Sequence, residues 1–218
     1  MQPPKRASGP RTILLVDDHH VVRQGLHLIV ERVLPGCKIG AAATAAEALA
    51  MLAAGPWDLV VLDLNLPDSD GFDLLRTIKT RFQTRVLVLS VYPEHPFAAR
   101  AIRAGADGYV SKSSLETDLT AALRAVAAGR RYVTQQLAAD LADVLAGKTV
   151  LLPHERLSQR EYEVLRALAA GRTVTEIAAS LKVSSKTIST YRSRILTKMG
   201  LRSNADLIRY AVENHLLL

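Results

Sequence analysis

Between Thr12 and about Gly129 the chain alternates two kinds of apolar pattern. The uninterrupted runs TILLV (12–16), KIGAA (38–42), LVVL (59–62), RVLVL (85–89) and GYV (108–110) read as strands, and runs without polar alternation predict a sheet covered on both faces. Between them, apolar residues recur at helical spacing over 19–33, 45–54, 71–82, 96–104 and 114–128. Thr44-x-x-Glu47 and Ser113-x-x-Glu116 have capping-box spacing at two of these helix starts. Five strand–helix units in series predict an α/β domain over 12–129 with a parallel, doubly wound sheet.

Past Arg130 the pattern changes. Residues 134–146 predict a short helix, and GKTVLLPHE after it carries turn and proline signals, so 130–152 reads as a linker. From Pro153 to Leu218 the spacing is helical throughout, over 159–170, 175–181, 185–199 and 204–215. Ser158, Thr173, Ser184 and Ser203 stand at the helix starts as caps, three of them with an acid three residues on. Four short helices in about 60 residues predict a small all-α bundle.

Composition narrows the choices. The N-terminal MQPPKRASGPR has no apolar signal core and predicts a disordered basic tail over 1–11. No stretch approaches the roughly 18–20 apolar residues of a membrane helix, so the expected setting is cytoplasmic, with no membrane partner. Cys37 is the only cysteine, which excludes an internal disulfide or a cysteine-based zinc site. The net charge of +7 is unevenly placed: residues 1–11 carry +3, 12–152 carry −1 and 153–218 carry +5. The C-terminal excess points that end of the chain towards a polyanion.

The strand ends carry the first candidate chemistry. Asp17 and Asp18 follow the first strand, Asp63 ends the third, Ser90 ends the fourth and Lys112 lies just past the fifth. Open parallel sheets bind ligands at the carboxyl ends of their strands, where these five residues converge. Clustered carboxylates repel unless a cation neutralises them, and a hard ion such as Mg²⁺ prefers carboxylate oxygens and shares them with phosphate. The set makes a phosphoryl site, with Asp63 as nucleophile, Mg²⁺ to screen charge, and Lys112 and Ser90 for the outer oxygens. Asp68-x-Asp70-Gly71 reads as a turn leading into the third helix. His19 and His20 read as helix-start residues beside the pocket, with no further histidine placed to join them.

The second candidate lies in an interval without acids, Glu176 to Asp206, which holds Lys182, Lys186, Arg192, Arg194, Lys198 and Arg202. Ile177, Ala178 and Leu181 form one apolar helix face, Lys182 and Val183 a turn, and Ser184 the cap of a second helix. Ile188, Ile195 and Met199 point that second helix inward. Lys186, Ser189, Thr190, Ser193, Arg194 and Lys198 are left for its outer faces. Such a helix fits a DNA major groove, with cations on phosphates and short side chains near base edges.

The motifs VDDHH (16–20), VVLDLNLPDSDG (60–71), VLS (88–90) and GYVSK (108–112) resemble the receiver domain of two-component response regulators. LSQREYEVLRALAAGRTVTEIA (157–178), SSKTISTYRSRILTKMG (184–200) and the terminal helix resemble the LuxR-type helix-turn-helix, so the whole chain resembles a NarL/FixJ-type response regulator. The resemblance implies a flavodoxin-like (βα)₅ fold and a transcription regulator that assists only its own phosphorylation and dephosphorylation. It implies phosphorylation of Asp63 by a sensor histidine kinase. Mg²⁺ would be held by Asp18, Asp63 and the Asn65 backbone carbonyl, and by Asp17 through water. Ser90 and Tyr109 would rearrange on phosphorylation.

In the C-terminal domain the resemblance implies that Ser189, Thr190 and Ser193 face bases of double-stranded promoter DNA, while Lys186, Thr187, Arg194 and Lys198 hold its backbone. Leu207, Ile208, Val212 and Leu216 would divide between internal packing and a symmetric contact in a homodimer formed on phosphorylation or on DNA. Ser113 departs from the pattern, standing where many receivers have proline. Two other classes are disfavoured. A haloacid-dehalogenase-like phosphatase needs Asp-x-Asp after its first strand, whereas Asp17 and Asp18 are adjacent. A small-ligand-binding regulator needs aromatic pocket walls, and aromatics are 5% of the chain.

Overall fold

The computed structural model describes residues 12–91, 94–134, 138, 152–214 and 216. The chain divides into two compact units, Met1–Lys148 and Thr149–Leu218. The predicted tail 1–11 lies outside the described residues, as does all of the predicted helix 134–146 except Thr134 and Ala138.

In the first unit five strands form one sheet in the order β2-β1-β3-β4-β5, with every pairing parallel: β1 (Thr12–Val16), β2 (Lys38–Ala42), β3 (Leu59–Asp63), β4 (Arg85–Ser90) and β5 (Gly108–Ser111). The helices are α1 (His20–Val33), α2 (Ala45–Ala54), α3 (Gly71–Arg81), α4 (Glu94–Arg103) and α5 (Leu115–Ala127). One face of the sheet, with Ile13, Leu15, Leu59, Val61, Leu87 and Leu89, packs on Leu26 and Val30 of α1 and Leu119, Leu123 and Val126 of α5. The intervening Leu14, Val60, Leu62, Val86 and Val88 are fully buried as well, so both faces are covered. This is the parallel, doubly wound sheet that the alternating pattern predicts, in the flavodoxin-like form that the resemblance implies.

The strand order reverses between β1 and β3, which places the ends of those two neighbours at the centre of the carboxyl edge. The loop after β3 is clamped from two sides. The Asp68 carboxylate accepts hydrogen bonds from Ala45 N (2.9 Å) and Ala46 N (3.0 Å) at the start of α2. Asp70 caps α3 by accepting from Phe72 N at 2.8 Å, so the 68–71 motif is the helix-leading turn predicted for it.

The start of α5 differs from expectation. A 3₁₀ turn over Lys112–Ser114 moves the helix start one residue on, and Ser114 is the N-cap in place of Ser113. The Ser114 hydroxyl donates to Ser111 O at 3.2 Å and makes no side-chain cap bond to the helix. Thr44 does cap α2 through Glu47 N.

In the second unit a 3₁₀ turn (Pro153–Arg156) precedes α6 (Gln159–Ala169), α7 (Val174–Leu181), α8 (Ser185–Met199) and α9 (Asn204–Glu213). Complete capping boxes join Ser158 to Glu161 and Thr173 to Glu176, while Ser184 and Ser203 cap α8 and α9. The turn between α7 and α8 puts Lys182 at φ 54°, the left-handed conformation that usually favours glycine. Leu165, Ile177, Ile188, Ile195 and Leu207 are fully buried where α8 crosses α6 and α7 and where α9 meets α6.

Two glycines test this reading with opposite signs. A Cβ at Gly71 would lie 2.3 Å from Leu64 O and 2.4 Å from Leu64 Cα, so Gly71→Ala must push α3 off the β3 loop. Urea unfolding should show a loss of roughly 1–3 kcal/mol. Gly25 has open space around it in the middle of α1, and Gly25→Ala should stabilise by about 0.5–1 kcal/mol.

Candidate functional sites

The sheet ends bring the predicted pocket together. Asp17 and Asp63 leave neighbouring strands fully or almost fully buried, and the Lys112 ammonium bridges them, donating to Oδ2 of each at 2.7 Å. Their remaining oxygens are partly used locally: Asp17 Oδ1 accepts from His19 N at 2.8 Å, and Asp63 Oδ1 accepts from Asn65 N at 3.0 Å. Ser90, the last residue of β4, is fully buried, and so is Tyr109 on β5.

Burial dominates the electrostatics of Asp63. Loss of water pushes its carboxyl up to about 6, even though the charge of Lys112 and its hydrogen bond pull the other way. Burial also opposes the charge on Lys112. The Asp63 carboxylate and the hydrogen bonds to Asp17 and Asp63 outweigh it, leaving that amine above the ordinary lysine value. One ammonium thus serves two carboxylates, with a third, Asp18, beside them.

Asp18 Oδ1 is shut off from solvent and has no hydrogen-bond partner, as is Asn65 Oδ1. His19 Nδ1 approaches Asp18 Oδ1 to 2.6 Å without forming a hydrogen bond. Asp17, Asp18, His19 and Asp63 each offer a ligand atom within 4.8 Å of the others. Orphaned oxygens beside crowded carboxylates fit a hard divalent cation, which replaces the missing hydrogen bonds and balances the excess charge. The sequence places His19 beside the pocket as a helix-start residue; the structure brings its ring nitrogen into the cluster itself.

The second unit presents α8. Lys186, Ser189, Thr190, Ser193, Arg194 and Lys198 are all exposed, while Thr187 is half-buried. Ser184, Lys186, Thr187, Thr190, Tyr191 and Arg194 line an open concavity of about 340 Å³. Several of the small hydroxyls are already engaged. Thr187 Oγ1 pairs with Ser184 Oγ at 2.8 Å, and Thr190 Oγ1 donates to Lys186 O at 3.0 Å.

Lys198 differs from the other cations on α8. Its ammonium donates at 2.6 Å to Oε2 of Glu161, whose side chain is only 3% exposed and also accepts from Ser158 N. This ion pair, together with Tyr191 in the concavity and exposed Thr197, escaped the sequence reading. Glu161 is visible in the sequence as a capping residue, but nothing signals a partner 37 residues away. Leu207 of α9 and Leu216 beyond its end pack inside, whereas Ile208 and Val212 on α9, one turn apart, are exposed at 39% and 55%.

Known proteins share this organisation. Residues 13–124 match the family described as response regulator receiver domain, and residues 155–211 match the bacterial regulatory proteins of the luxR family. Response regulator UvrY of Escherichia coli K12 is 30% identical over 206 residues, covering 94% of either chain. Fimbriae Z protein of Salmonella typhimurium is 37% identical over 213 residues, covering 95% of this chain and 99% of its own. Among solved structures, RcsB of Salmonella enterica serovar Typhimurium, bound to the promoter rprA in the presence of the phosphomimetic BeF₃⁻, aligns with a TM-score of 0.56. It is 27% identical and covers 92% of this chain and 97% of that one. The chain belongs to the two-component response regulators of the NarL/FixJ type, with a receiver domain followed by a luxR-family helix-turn-helix.

Proposed function

We propose that phosphoryl transfer to Asp63 from a sensor histidine kinase gates the binding of the C-terminal helix-turn-helix to promoter DNA. The observation that carries this reading is the buried Asp17–Lys112–Asp63 bridge at the sheet edge, in a chain that also carries an exposed, acid-free helix. An Asp63 carboxylate oxygen attacks phosphorus as the phosphorus–nitrogen bond to the donor imidazole breaks, and the imidazole leaves with a proton. Asp18, Asp63 and the Asn65 backbone carbonyl, with Asp17 acting through water, would hold Mg²⁺, which would supply charge neutralisation for the transferring group. Lys112 is placed to follow one phosphoryl oxygen, and the Ser90 hydroxyl another. Tyr109 and Ser90 carry the change to the receiver surface.

The protein is expected to work in the cytoplasm without turning over a free substrate. On DNA, Lys186, Thr187 and Arg194 hold phosphates, and Ser189, Thr190 and Ser193 face base edges. RcsB has been solved as two dimers on two parallel DNAs. In this chain, exposed Ile208 and Val212 offer the apolar contact for a homodimer on paired half-sites.

With Mg²⁺ and a small phosphodonor, the full chain should gain one acid-labile phosphate, detected by intact mass. Asp63→Asn should abolish it and Asp18→Asn should slow it at least tenfold. Full labelling of Asp63→Asn would remove Asp63 from its role.

The raised carboxyl of Asp63 also predicts a stability effect. A carboxyl whose folded pKa lies above its ordinary value of 3.8 favours the fold most below pH 4, and that contribution is lost as pH rises through about 6. Without metal, Asp63→Asn should therefore be more stable than the wild type at pH 7 by roughly 1–3 kcal/mol, with the gap shrinking towards pH 4. Adding Mg²⁺ should raise the wild-type Tm more than that of the variant. A gap independent of pH would contradict the burial argument.

For DNA, Lys186→Ala and Arg194→Ala should each weaken binding to all sequences and flatten the salt dependence by about one unit. Substitutions at Ser189 or Ser193 should change the preferred sequence instead. Lys198→Ala should chiefly lower stability, by about 1–2 kcal/mol, because it strips the buried Glu161 carboxylate of its cation. A full unit of salt slope lost in Lys198→Ala, at unchanged Tm, would restore it to the phosphate contacts.

A further inference from the structure

The position of His19 does not follow from oxygen-only Mg²⁺ chemistry. It sits between the end of β1 and the start of α1, where it is the backbone N-cap of the helix without a side-chain cap bond. Its backbone N–H donates to Asp17 Oδ1 at 2.8 Å, which fixes the residue beside the pocket. Its ring is not needed for packing, being 61% exposed, yet Nδ1 turns towards the carboxylates, 2.6 Å from Asp18 Oδ1 and 3.5 Å from Asp17 Oδ1. Asp18 Oδ1 takes no hydrogen bond from it. A protonated ring would pair with these carboxylates, whereas a neutral ring with its proton on Nε2 offers the Nδ1 lone pair to the same space as the Asp17, Asp18 and Asp63 oxygens, all within 4.8 Å of one another.

Donor type decides which cation. Carboxylate and carbonyl oxygens suit Mg²⁺, whereas imidazole nitrogen favours the borderline ions, with affinity rising from Mn²⁺ through Co²⁺ to Ni²⁺. We propose that His19 is a nitrogen ligand of the receiver pocket, which makes the site bind a first-row transition ion such as Mn²⁺, Co²⁺ or Ni²⁺ in preference to Mg²⁺. The proposal rests on the divalent-ion reading of the pocket above. Asp18 and Asp63 provide oxygens on the buried side. Lys112 occupies Oδ2 of Asp17 and of Asp63 and so keeps the ion towards the opposite, His19 side of the cluster. The exposed ring can turn to complete the set, because no described contact of its own holds it elsewhere than on Asp17 and Asp18.

The test uses the full chain with Mg²⁺, Mn²⁺ and Ni²⁺ added as simple salts. Calorimetric titration compares the wild type with His19→Gln, Asp18→Asn and, as a control for other surface histidines, His20→Gln. Pulsed electron paramagnetic resonance of the Mn²⁺-loaded protein reads ¹⁴N coupling to the ion directly. His19→Gln is expected to weaken Ni²⁺ at least tenfold, change Mg²⁺ less than twofold and remove the ¹⁴N coupling. His20→Gln should change none of these, and Asp18→Asn should weaken all three ions. A wild-type Mn²⁺ site without ¹⁴N coupling, or one whose coupling survives in His19→Gln, overturns the proposal and leaves the oxygen-only pocket standing. Absence of any Mg²⁺ binding by the wild type overturns the pocket reading, and this proposal with it.

Discussion

One lysine holding two buried carboxylates is the constraint on which the receiver depends. Asp17 and Asp63 sit where two central strands end, and neither can reach water to discharge itself. Lys112, at the end of the edge strand β5, must cross above β4 and β3 to bridge them at 2.7 Å. The strand order is therefore tied to the charge balance: any register change of β5 would strand two acids in a medium of low dielectric. The same arrangement is poised for chemistry. One positive charge against three carboxylates leaves a deficit that a cation relieves and that a phosphoryl group then shares.

The loop after β3 converts that balance into a shaped site. Asp68 and Asp70 spend their carboxylates on the N-termini of α2 and α3, and Gly71 lets α3 approach Leu64 more closely than any side chain permits. Asn65 is thereby held with its backbone N–H on Asp63 and its own amide oxygen unsatisfied. In sequence the segment reads only as a turn. Its second role, fastening two helices around the acceptor, comes from contacts made 22 and 23 residues back along the chain.

What the sequence made legible follows from the range of the interactions. The strands, the capping residues Thr44, Ser158, Thr173, Ser184 and Ser203, and the turn at Lys182 are governed by local spacing, and they stand where the pattern puts them. The convergence of Asp17, Asp63 and Lys112 was also readable, because strand ends in a parallel sheet are forced onto one edge. The start of α5 departs from the spacing because a 3₁₀ turn absorbs Lys112–Ser114, and neither that turn nor the bond from Ser114 to Ser111 O leaves a trace in spacing. Lys198 looked like one more cation on an outer face. Only the packing of α6 against α8 shows that it answers Glu161.

That ion pair changes how the DNA-reading helix is understood. Glu161 both closes the capping box at the start of α6 and accepts Lys198 near the end of α8, so a single carboxylate oxygen links the first and third helices of the bundle. Buried Ile188, Ile195 and Met199 seat α8 on the bundle, and the 2.6 Å charge-assisted bond adds a tie near its C-terminal end. The exposed row of Lys186, Ser189, Thr190, Ser193 and Arg194 lies on that helix. Specificity in such a helix depends on which short side chains face the base edges, and here the core contacts and the Lys198–Glu161 pair together hold the helix that carries them.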